Sequence, residues 1–134
     1  MTASKAWLTF GVGLLCGAAV WALSIAVTGV REPFDANTFY YPAAMFLSGI
    51  VAATFSPRHW WLAVIGIFAG ERLYAFVMLP ETRDWLLFGI VVNALVPTWL
   101  PAAMGAIGVF LMQRWLAKGR RARCVETPRV PLDP

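Results

Sequence analysis

A chain of 134 residues that is 60% hydrophobic and only 13% charged carries about half the charge of an ordinary soluble domain, where about 25% is usual. That deficit points to lipid as the solvent, and the length allows one domain of three or four membrane spans with almost nothing left for a soluble module. The net charge of +4 is gathered on a few segments and does not suggest a nucleic-acid partner, while a single histidine, His59, excludes a histidine-rich metal site.

The first apolar run covers residues 6–30 and is too long for the 7–15-residue core of a signal peptide. Gly13 and Gly17 stand four apart in it, a stripe of small residues that lets another helix approach closely. Cys16 lies in the same run and Cys124 near the C-terminus, too far apart to pair. A loop with the sequence REPFDANTF follows, then a second span at 40–55 with Pro42 in its first turn. Tyr40 and Tyr41 suit a headgroup boundary there. The tight basic loop SPRHW leads to Trp60 and Trp61 and to a third span at 61–79, WLAVIGIFAGERLYAFVML, with its own small-residue stripe of Gly66 and Gly70.

After the outer loop PETRD the last apolar run, 85–116, is 32 residues long, or ~48 Å if straight, against a hydrocarbon core of ~30 Å. Pro97 and Pro101 interrupt it, which predicts one long, proline-kinked or broken helix. The remainder, 118–134, is basic and then Pro-rich, with no core-forming pattern. Its Lys118, Arg120, Arg121 and Arg123 form a cluster suited to anionic lipid headgroups.

The fold expected is therefore an all-α integral membrane protein with four transmembrane helices in a single domain over 1–117. Of the 11 basic residues, eight (Lys5, Arg58, Arg114, Lys118, Arg120, Arg121, Arg123 and Arg129) fall on one side and two (Arg31 and Arg83) on the other. The positive-inside rule then places both termini in the cytoplasm, in a bacterial-type inner membrane.

Chemistry concentrates in the third span. Glu71 and Arg72 lie well inside it, at a depth where each costs roughly 2.5–3.5 kcal/mol. Adjacent residues point ~100° apart on a helix, so the two cannot easily satisfy each other. Counting depth from the outer boundary, Ser48 of span two and Asn93 of span four lie level with them, and Tyr74 shares the Glu71 face. The expectation is a polar layer of Ser48, Glu71, Arg72, Tyr74 and Asn93. There is no nucleophile–base set, no phosphate-cradling loop and no metal or cofactor spacing, so no enzymatic reading arises. Two functions fit. In the first, the chain is an accessory or assembly subunit of a larger membrane complex, packing on other membrane subunits or on itself through Gly13, Gly17, Gly66, Gly70 and its mid-membrane charges. In the second, it is a small homo-oligomeric proton- or ion-coupled transporter or channel using Glu71, Arg72 and Asn93.

Overall fold

A computed structural model describes residues 2–31, 33, 39–78 and 98–126. Among them are four α-helices, one 3-10 turn and no strand. α1 is Thr2–Thr28, α2 Tyr40–Phe55, α3 Trp60–Met78 and α4 Leu100–Glu126. Three stretches, Ser4–Thr28, Pro57–Met78 and Leu100–Arg120, are long and apolar enough to cross a membrane, and α2 is a shorter apolar helix. Only 28%, 33% and 28% of their apolar windows are buried inside the protein. So wide an exposed apolar surface matches lipid, not water, as its surroundings.

The helix ends are finished locally, as a lipid environment demands, because an unpaired backbone group there costs several kcal/mol. α1 stops at Gly29, whose φ of 74 is natural only to glycine, and the Gly29 N–H closes the last turn on the Ile25 carbonyl at 3.0 Å. Two buried or half-buried hydroxyls complete the end. Thr28 Oγ1 donates to the Ser24 carbonyl at 2.8 Å, and Ser24 Oγ donates to the Val30 carbonyl at 2.9 Å. Between α2 and α3 the Ser56 carbonyl accepts the His59 N–H at 2.9 Å. The Ser56 hydroxyl meets His59 Nδ1 at 2.8 Å. The single histidine thus fastens a tight antiparallel hairpin.

The last apolar run is expected to be kinked or broken at its prolines. Thr98 and Trp99 form a turn and α4 begins at Leu100, so the run is broken there, and residues 85–97 lie outside the described residues. Pro101 sits in the first turn of α4, where its missing N–H leaves no hydrogen bond unmade. Pro97 lies outside the described residues. α4 then continues beyond 116 to Glu126, through residues expected to be a loose tail. The late start explains this in part: the membrane-length stretch must now draw on residues up to Arg120, and Leu, Ala, Lys and Arg are good helix formers.

Packing follows two glycine-lined seams. α1 and α3 make the most extensive contact in the bundle, and they run parallel. Gly13 lies against Ala63 and Gly66, Gly17 against Ile67, Gly66 against Phe10, and Gly70 against Leu14, each so close to backbone that a Cβ would collide. The two small-residue stripes read from the sequence thus pack on each other. A second parallel seam joins α2 to α4, where Gly49 meets the Ala102 carbonyl and Gly105 the Phe46 carbonyl. Ala52, Ala53, Ala63, Ala102 and Ala106 are all fully buried. Lipid tails are as apolar as side chains, so helices in a bilayer associate by close van der Waals fit of small residues like these. α2 is antiparallel to α3, with Tyr41 opposite Glu71 and Ala53 near Trp60 and Val64. The start of α1 and the end of α4 consequently lie at the same end of the bundle.

Candidate functional site

The buried carboxyl of Glu71, 1% exposed, is the main polar feature of the interior. α3 carries it on the turn after Gly70, and the closeness of α1 at that glycine leaves the next residue facing the junction with α2. The Tyr41 hydroxyl, from the first turn of α2, donates to Glu71 Oε1 at 3.0 Å. Trp21 of α1, itself buried, lies beside the same carboxyl group. Thr98, in the turn before α4, is a hydrogen-bonding neighbour of the Tyr41 hydroxyl. Three helices and the turn before α4 therefore each supply a residue to one layer. Glu71 is seven residues from Met78, where α3 ends, or ~10 Å. The layer thus lies toward the end of the bundle where α1 ends and α4 begins.

Arg72 has different surroundings. Its guanidinium carbon stands 5.2 Å from the centre of the Phe68 ring one turn back, within cation–π range. Nε and Nη2 are both buried and have no hydrogen-bond partner among the described residues. These two nitrogens form the fork by which a guanidinium grips two oxygens of one group. Tyr74 is half-buried and packs its ring 6.5 Å from that of Trp21.

Of the layer expected from depth counting, Glu71, Arg72 and Tyr74 stand together. Ser48 is buried on α2, seven residues beyond Tyr41, ~10 Å further along. No hydrogen bond joins Ser48 to Glu71 among the described residues. The count assumed that α2 starts at the membrane surface. This helix of 16 residues instead starts level with Glu71, so its first turn supplies the partner. Asn93 lies outside the described residues. Tyr41 reads from the sequence as an interfacial anchor, yet it is 8% exposed. Its neighbour Tyr40, ~100° away, donates to the Val20 carbonyl of α1 at 2.7 Å.

Lys118 and Arg120 are exposed on the far turns of α4, and Arg121 and Arg123 belong to the same helix. Arg114 stacks over Phe110, 5.3 Å from its ring centre. Cys16 is a free thiol within α1. Among the described residues no group of His, Cys, Asp or Glu is placed to hold a metal. Comparison of the chain with protein-family models, with curated proteins and with solved structures finds no match.

Proposed function

We propose that this protein is a small proton- or ion-coupled membrane transporter whose working centre is Glu71, with Tyr41 as its hydrogen-bond partner and Arg72 as its counter-charge. The observation that carries the reading is a carboxyl group buried to 1% exposure and held by Tyr41 where α1, α2 and α3 meet. Bundle cores are where such sites are built, and intramembrane ionisable residues mark ion and proton paths. The accessory-subunit expectation drew on Gly13, Gly17, Gly66 and Gly70 meeting partner helices. Those residues are spent on the α1–α3 seam within the chain, which shifts weight to the internal site. The charge asymmetry places both termini in the cytoplasm of a bacterial-type inner membrane.

The chemistry asked of the centre is modest. A proton arriving from water binds the Glu71 carboxyl, and the Tyr41 hydroxyl rotates between donating to the carboxylate and accepting from the acid. Purified protein in liposomes holding a pH-sensitive dye tests this under an imposed pH gradient. Wild type should move protons above the empty-liposome level, and Glu71→Gln, which keeps shape and hydrogen bonding, should return to that level. Equal flux in the two proteins sinks the reading.

A further inference from the structure

We infer, building on the transport reading, that Arg72 is the binding residue for a small free oxyanion, a carboxylate or phosphate group, and that the anion enters together with a proton on Glu71. Three observations lead there. The open edge of Arg72 is its Nε–Nη2 fork, both atoms buried and without a partner among the described residues. A buried donor left unpaired is costly, more so when charged, and this fork matches two oxygens of one planar or tetrahedral anion. Phe68 backs the guanidinium and limits how far it can swing. Glu71 already has Tyr41 as its donor, and its carboxyl points ~100° away from Arg72, so it does not fill the fork.

Charge balance then ties the two residues together. With Glu71 ionised, the centre holds one negative and one positive charge and is neutral overall. With Glu71 protonated, Arg72 stands alone, and a net charge in a medium of low dielectric is strongly disfavoured. A monoanion on the fork restores neutrality. Proton and anion are thus taken up together and released together, with no net charge carried.

Two titrations of purified protein in detergent decide this, one with sodium acetate and one with sodium phosphate, sodium chloride holding ionic strength constant. The readout is the thermal unfolding midpoint. Wild type should show a saturable rise with at least one of the two anions over chloride, and the stronger arm identifies the carboxylate or the phosphate class. Arg72→Gln should abolish the rise. Arg72→Lys, which keeps the charge but loses the fork, should bind about tenfold more weakly, the effect of one charged hydrogen bond. Glu71→Gln, a mimic of the protonated state, should bind more tightly than wild type. The inference is overturned by a wild type with no saturable response, by a response that survives Arg72→Gln, or by weaker binding in Glu71→Gln. It is overturned as well by a second polypeptide that copurifies with wild type and is lost in Arg72→Gln, because the fork would then hold a partner's carboxylate. Should Arg72→Gln not fold, the Arg72→Lys and Glu71→Gln titrations carry the decision. An intact oxyanion response without proton flux removes the transport reading and leaves the site. Flux without the response does the reverse.

Discussion

Gly70 and Glu71 are neighbours on α3, and they belong to two regions that solve the problem of lipid in different ways. Gly70 closes a dry seam: a Cβ there would strike the Leu14 carbonyl, and the same is true of Gly17 against Ile67. Everything that seam needs is inside the chain, and its cohesion comes from the summed dispersion of close atoms. The layer that starts one residue later holds a carboxyl group with a hydrogen-bond donor and a guanidinium fork without an acceptor among the described residues. The seam is closed by backbone contact, while the polar layer holds a buried donor edge with no acceptor among the described residues. The difference is between a region held by backbone fit and a region held by polar groups, and the proposed function rests on the second.

Mutation can test that contrast, the seam giving the largest effect. Gly70→Val puts two extra methyl groups and a Cβ into the Leu14 backbone, and overpacking of this kind costs about 3 kcal/mol. The thermal midpoint in detergent should collapse and the size-exclusion profile broaden. A Gly70→Val protein as stable as wild type would mean that α1 and α3 do not meet this way. The polar layer should respond less. Tyr41→Phe removes one hydrogen bond to a buried ionisable group, worth about 2 kcal/mol, so the midpoint should fall while the helical circular-dichroism signal stays. An unchanged midpoint would place Tyr41 at the membrane surface.

Smaller still is the effect expected at the end of α4. Replacing Lys118 and Arg120, both exposed, by Gln should weaken retention of phosphatidylglycerol in native mass spectra by about fivefold per residue, the weight of one basic group near an anionic surface. Equal retention would make the cluster a topology signal only. Gly108→Ala closes the series with the opposite sign. Nothing lies within 4 Å of a Cβ there, so the better helix former should leave stability equal or raise it by up to ~1 kcal/mol. A loss would show that a helix packs where open space is seen.

Much of the fold was legible from residue spacing. Gly13–Gly17 and Gly66–Gly70 announced two close-packing faces, and the two faces turned out to meet each other. Gly49 and Gly105 carry a weaker signal because neither has a second glycine four residues away: Gly49 is followed by Ala53, and Gly105 stands between Pro101 and Val109. The centre was half legible. Glu71 and Arg72 were conspicuous as charges in an apolar run, but their partners are set by where α2 begins. Hydropathy reports the length of a span and not its height relative to its neighbours, so Tyr41 could not be told from an interfacial tyrosine.

The sequence alone determined that the chain is helical and suited to lipid, that most of its basic residues gather near the C-terminus, and that Glu71 and Arg72 stand inside an apolar run. These are properties of composition and of the helical period, which each segment carries with it. Only the tertiary structure decided that the glycine stripes pair within the chain, that Pro101 stands in the first turn of a helix, and that Tyr41 takes the Glu71 carboxyl while the Arg72 fork has no acceptor among the described residues. Those outcomes depend on the vertical offset of one helix against another. That offset is fixed by how small side chains let the backbones interlock, a contact no single segment encodes.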